Sequence, residues 1–221
     1  MQQRAVETRG RILEAAVREF SDKGFHGARV DVIAAEAGVN KQRIYAYFAN
    51  KETLFSEVIR HCFAMIGQEE ALFLDLGDGD APHMSEILLR HYMFFHARVP
   101  EFWRLLAWEN LESGRHAHVL KDVRESVFAH LRRLYQAGQA QGVFHGQVSF
   151  ETYLFVLSAI AFFYYANQRT LSQTLNIELG DPAVRERMIR ECLTMLHDGA
   201  HAPSQISLAS SEAITTEGVL P

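Results

Sequence analysis

The chain has 221 residues, 48% of them apolar and 22% charged, enough to bury a sizeable core as one long domain or two small ones. Its opening, MQQRAVETRGR, has no apolar core with a cleavage site, and its longest near-apolar run, Tyr153 to Ala166, is too short to span a bilayer, so a soluble cytoplasmic chain is expected. The net charge of −5 conceals a split: residues 1–51 hold nine basic against six acidic side chains and the remaining 170 hold thirteen against twenty-one, a basic head on an acidic body.

Apolar residues recur at helical spacing along the chain and nowhere alternate as in a strand, which predicts an all-α protein. Glu7 to Lys23 carries Ile12, Leu13, Ala16, Val17 and Phe20 on one stripe, with Gly24 as its stop. Val30 to Ala37 reads as a short second helix with Ile33, Ala34 and Ala37 inward, ended by Gly38. Asn40 caps a third helix that stops near Ala49, and Asn50 caps a longer fourth through Leu54, Val58, Cys62 and Ile66. LGDGDAP (76–82) reads as a loop. Beyond it, helices are expected near 84–98, 100–113, 118–141, 149–174 and 182–198, nine in all, with Pro100 and Pro182 at helix starts. Residues 202–221, rich in Ser, Thr and Ala without a basic residue, read as a disordered tail. Cys62 and Cys192 lie in apolar helical surroundings with no CxxC spacing and read as buried thiols.

Two short helices joined by Gly38-Val39-Asn40 have the spacing of a helix-turn-helix. If Ile44 and Phe48 face the core, then at 100° per residue Gln42, Ala46 and Ala49 point outward, with Arg43 and Tyr45 on the flanks. Gln can pair bidentately with adenine and Arg with guanine, and an Ala methyl can rest on that of thymine. Lys41 and Lys51 stand at helix N-termini, which cations normally avoid; an anion shared between dipole and lysine removes the conflict.

The stretch TRGRILEAAVREFSDKGFHGARVDVIAAEAGVNKQRIYAYFANKETLFSEVI, roughly residues 8–60, resembles the N-terminal DNA-binding domain of tetracycline-repressor-like (TetR) transcriptional regulators. The resemblance implies that Asn40, Lys41, Gln42, Arg43, Tyr45 and Tyr47 contact bases or phosphates and that Lys51 grips a phosphate. Where the family often caps the second helix with Thr or Ser, this chain has Arg29, which can hold a phosphate but cannot cap, leaving that helix start to Asp31.

A helix-turn-helix head reads half a site, so a two-fold dimer on a palindromic operator is expected. Within the helix near 149–174, apolar residues run all round from Tyr153 to Ala166, so one side can face its own bundle and the other a partner copy, together with the helix near 182–198. The resemblance also implies a small-molecule effector bound in the body. Candidate lining residues are aromatics with polar neighbours: Tyr92, Phe95, His96, Phe102, Trp103, Trp108, Glu109, Asn110, Tyr164 and Asn167, with Trp108-Glu109-Asn110 foremost.

Neither His91/His96 nor His116/His118 has good helical ligand spacing, and no Cys/His quartet exists, so no metal or other cofactor is expected. GxSxG, P-loop, GxGxxG and HExxH patterns are absent, and paired carboxylates such as Glu69-Glu70 read as solvated helix surface, so the chain is not expected to be an enzyme. The reading is a DNA-binding head (1–51), a ligand-binding and dimerising body (52–200) and a tail (201–221). The expected function is a DNA-binding regulator, a repressor released by its ligand; the alternative is a ligand-binding helical dimer that activates or no longer binds DNA.

Overall fold

The computed structural model describes residues 2–112 and 114–198; the expected tail, 201–221, lies outside the described residues. Among the described residues there are ten α-helices and no strand. Helix α1 (Gln2–Gly27) buries Ile12, Ala15, Ala16 and Phe20 along one stripe and breaks at Gly24, whose φ of 66° and ψ of 179° suit glycine alone. The indole of Trp108 packs there: a Cβ on Gly24 would come within 2.7 Å of it.

Helices α2 (Val30–Glu36) and α3 (Lys41–Phe48) form the helix-turn-helix. Gly38, at φ 64°, makes the turn, and Val39 packs against the head core. Asn40 caps α3 by accepting from the Arg43 N–H at 2.8 Å, and Asn50 caps α4 (Lys51–Glu70) by accepting from the Thr53 N–H at 2.8 Å. Between them, Ala49 sits at φ 59°, ψ −55°, while the Asn50 N–H donates to the Phe48 carbonyl at 2.6 Å; this one-residue γ-turn joins α3 to α4 abruptly.

Two 3-10 turns, Ala71–Asp75 and Asp78–His83, lead out of α4, so the expected loop at 76–82 is largely wound up. The body follows as α5 (Met84–Arg98), α6 (Pro100–Leu111), α7 (Ala117–Ala140), α8 (Phe150–Ala166), α9 (Gln168–Thr174) and α10 (Pro182–Asp198). The expected single helix at 149–174 is therefore two, which raises the number from nine to ten. The chain breaks at Asn167, and two donors flanking it, the Tyr164 hydroxyl and the Gln168 amide, both bond the distant Leu179 carbonyl, at 2.6 and 2.9 Å.

One apolar core joins α1–α4 to Phe95, Phe102 and Leu105 of α5 and α6; a second fills the space between α5, α7, α8 and α10. Trp103 packs against both. Glu70 corrects the expectation of a solvated Glu69-Glu70 pair. It is fully buried, and both its carboxylate oxygens accept from Arg124 on α7.

Candidate DNA-reading face and body cavities

Ile44 and Phe48 are 0% and 1% exposed, whereas Lys41, Gln42, Arg43, Tyr45 and Ala46 are all exposed. The two apolar anchors therefore hold α3 with its polar side outward, as helical spacing requires. Arg43 lies 5.6 Å from the centre of the half-buried Tyr47 ring, a cation–π contact that restrains the guanidinium at the edge of this face.

The cations around α3 are held by few groups. Lys41 meets Asp31, in the first turn of α2, at 3.2 Å, and both side chains are exposed enough for a phosphate to compete. Arg29 makes no side-chain cap; its backbone N–H donates instead to the Glu19 carboxylate at 2.9 Å. Lys51 reaches the His26 carbonyl at 3.5 Å and stands 5.0 Å from the Phe25 ring centre. Burial lowers its pKa, with Glu19 opposing. Desolvation without a full partner charge leaves this ammonium, at the start of α4, ready for an anion.

The residues expected to line one ligand site are dispersed. Tyr92 and Phe95 are buried in the core, Tyr92 with its hydroxyl accepting from Arg124 at 3.3 Å, and Phe102 packs edge-on against Phe95. Trp108 belongs to the head–body contact, where its indole N–H donates to the Ser21 carbonyl at 3.1 Å. Asn110 is exposed. Tyr164 lines an apolar groove of about 270 Å³ between α5, α8, α9 and α10.

Glu109 is buried and faces the α6–α7 connection: it accepts from the His116 backbone N–H, and its other oxygen lies 3.1 Å from His116 Nδ1. The far ring nitrogen of His116 is 2.9 Å from the Ser56 hydroxyl on α4. This Ser56–His116–Glu109 chain, which no motif in the sequence announces, fastens α4 to α6.

Only His96, Trp103 and Asn167 of the expected residues share a groove, one of about 780 Å³ between the end of α1, the α5–α6 corner and the α8–α9 break. Tyr165, which sequence reasoning missed, lines it too. Burial holds the His96 imidazole down at about 4, with Arg124 and then His91 adding to the effect, so the ring is neutral at pH 7. Burial pushes the Tyr165 phenol up, against the nearby Arg185 guanidinium. Among the described residues no group of three metal-ligating side chains gathers, and no helix is long and apolar enough to cross a membrane.

Comparison with known proteins agrees with this geometry. Residues 12–58 match the family described as "Bacterial regulatory proteins, tetR family", and residues 86–196 match "Tetracyclin repressor-like, C-terminal domain". The HTH-type transcriptional repressor NicS of Pseudomonas putida is 38% identical over 184 residues, covering 81% of this chain and 85% of its own. The HTH-type transcriptional repressor SCO4008 of Streptomyces coelicolor is 37% identical over 154 residues, 70% of this chain and 76% of its own. Among solved structures, the putative transcriptional regulator SCO4942 of Streptomyces coelicolor superposes with a TM-score of 0.62 at 25% identity, covering 85% of this chain and 96% of that one. A non-enzymatic, DNA-binding helix-turn-helix protein, the chain belongs to the TetR family of transcriptional regulators.

Proposed function

We propose that this regulator is a repressor that binds a palindromic operator as a homodimer and is released by a small molecule held in its body. The observation that carries the reading is the α3 face, where Gln42, Arg43 and Ala46 stand exposed over the buried anchors Ile44 and Phe48. Gln42 and Arg43 read base edges, while Asn40, Lys41, Tyr45, Tyr47, Lys51 and Arg29 position the duplex through its phosphates. Residues 1–51 are the reading unit and 52–200 the sensing and pairing unit. Two relatives named repressors, at 38% and 37% identity, support the sign of regulation.

Dimerisation is supported by large apolar side chains left exposed among the described residues. Phe155 and Phe163 on α8 are 70% and 55% exposed, and Met195 on α10 is 60% exposed. Large apolar groups gathered on two adjoining helices mark an interaction surface. A palindrome requires that a partner copy seated there with its own α8 and α10 put the two α3 helices on one side of the assembly.

The test is anisotropy with the duplex upstream of the protein's own gene. Lys51→Ala should weaken specific and unrelated duplexes alike and reduce the salt slope by about one, whereas Gln42→Ala should lose about 1–3 kcal/mol of discrimination at one base pair. A Gln42→Ala protein with unchanged base preference at every operator position would overturn this orientation of α3.

A further inference from the structure

Four buried side-chain polar atoms among the described residues have no protein hydrogen-bond partner: His91 Nε2, His96 Nδ1, Trp103 Nε1 and Tyr165 Oη. Buried polar groups are nearly always paired, and each orphan costs stability, so such a set calls for a reason. Three of the four belong to residues lining the same groove, the one between α1, the α5–α6 corner and the α8–α9 break. His96 and Tyr165 are 6% and 9% exposed and stand 6.0 Å apart between ring centres. They and Trp103 give the groove three aromatic rings, whose orphan polar atoms are themselves closed to solvent, with the Arg185 guanidinium near the Tyr165 phenol.

The charge of the groove is one-sided. Lys23, Arg104 and Arg169 line it against a single carboxylate, Asp22, and Asp22 is paired with Arg104 at 2.9 Å. Lys23 and Arg169 make no ion pair among the described residues. A ligand that suits both features has a flat apolar body for the rings and one negative group for the cations.

We infer that this groove binds a planar aromatic monocarboxylate, with its ring against His96, Trp103 and Tyr165 and its carboxylate held by Lys23 and Arg169. The inference deepens the effector reading above and rests on it for its consequence at DNA. Residues Ser21 to Lys23 belong to the helix that carries the head, whereas the other walls belong to the body, so an occupant touches both parts at once. An occupant that prefers one separation of head and body shifts the population toward it, by as much as its affinities for the two arrangements differ.

Calorimetry on the full chain tests the site directly, with benzoate, salicylate and 4-hydroxybenzoate as the aromatic anions. Benzamide serves as the neutral isostere and cyclohexanecarboxylate as the non-planar anion. At least one aromatic anion should saturate at one site per chain, with benzamide and cyclohexanecarboxylate at least tenfold weaker. Lys23→Gln/Arg169→Gln alters only exposed side chains, so it should keep the thermal midpoint yet weaken the anion at least tenfold.

Absence of saturable binding by all three anions would overturn the site, as would equal affinity for benzamide or full affinity in the double variant. Anisotropy with the upstream duplex separates the two readings. Binding in the groove without release of a bound duplex would overturn the regulatory consequence alone. A chain that holds no duplex with or without benzoate would overturn the DNA reading and leave the groove's chemistry standing.

Discussion

Arg124→Met should destabilise the protein severely, and the loss should be recovered by a second change at Glu70. Glu70 is 0% exposed, and the Arg124 side chain 13%. The guanidinium donates through Nε to Glu70 at 2.7 Å and through Nη2 to its other oxygen, lies 3.3 Å from the Tyr92 hydroxyl and stacks 4.4 Å from the Phe128 ring centre. Burial pulls the Arg124 pKa down, and Glu70 and Tyr92 more than restore it, so the guanidinium keeps its charge. Methionine replaces the stem but leaves a carboxylate in the interior without its cation, a defect worth about 3–5 kcal/mol. For a domain of this size each kcal/mol moves the midpoint by about 2–4 °C, so Tm should fall by about 6–20 °C.

Glu70→Leu/Arg124→Met removes both charges together and should come back to within about 1–2 kcal/mol of the parent, since a buried ion pair is often no better than apolar packing of the same volume. Urea unfolding of the parent, both single variants and the double variant gives the coupling energy as a closed cycle. An Arg124→Met cost below about 1 kcal/mol, or a double variant as unstable as the two singles combined, would refute the assignment of Glu70 as a charge that depends on Arg124.

Gly24→Ala should cost about 1–3 kcal/mol by urea unfolding, since φ 66° with ψ 179° is open to glycine alone and a Cβ there would stand 2.7 Å from the Trp108 ring; a cost near zero would refute the need for glycine. His96, held at about 4 by burial against about 6.5 when unfolded, should contribute roughly 2–3 kcal/mol that is fully present above pH 6.5 and lost as pH falls from 6.5 to 4. His96→Phe should therefore flatten stability against pH in that window, and an unchanged slope would refute it. Phe155→Glu/Phe163→Glu, at positions 70% and 55% exposed, should leave the monomer fold intact but shift sedimentation from dimer to monomer; an unchanged dimer would place the contact elsewhere.

Local physics made the reading unit legible. Ile44 and Phe48 fix the facing of α3, Asn40 and Asn50 announce its cap and the next, and Gly38 marks the turn between two helices. The body was legible as helices but not as a site. Its decisive contacts join residues far apart in sequence, such as Glu70 to Arg124 and Ser56 to His116, which periodicity cannot pair. The apolar run ends at Ala166, and the helix breaks at Asn167, where Tyr164 and Gln168 on either side find the Leu179 carbonyl across the fold. Trp108 has the composition of a pocket wall, yet Gly24 offers it a seat in the head; Tyr165 differs from Tyr164 only by 100° of helix rotation, and that rotation puts it in the groove.

Under the proposed effector reading, the same long-range contacts would carry a change in the body to DNA. The two long helices that flank α2 and α3 are both tied to the later helices: α1 through Trp108 on Ser21 and Arg104 on Asp22, α4 through Ser56 to the His116–Glu109 pair and through Glu70 to Arg124. Helix α4 begins with Lys51, one residue past the γ-turn that ends α3, so a shift of α4 cannot leave the reading helix where it was. Gly67, packed with its Cα against the Val123 carbonyl where a Cβ would come within 3.0 Å, brings α4 and α7 close enough for small body motions to be passed on rather than absorbed. The two α1 ties and the Ser56 tie of α4 all lead to α6, beside the groove that Lys23 and Trp103 line, whereas Glu70 ties α4 to α7. Motion of α6 relative to α7 would therefore act on α4 at both of its ties, at Ser56 through α6 and at Glu70 through α7, and on α1 through α6 alone. Severing one tie on each helix, by Ser56→Ala and Arg104→Gln, should leave duplex binding in the unliganded protein while weakening its response to any effector. An unchanged response in both variants would mean that the signal travels by the partner copy instead.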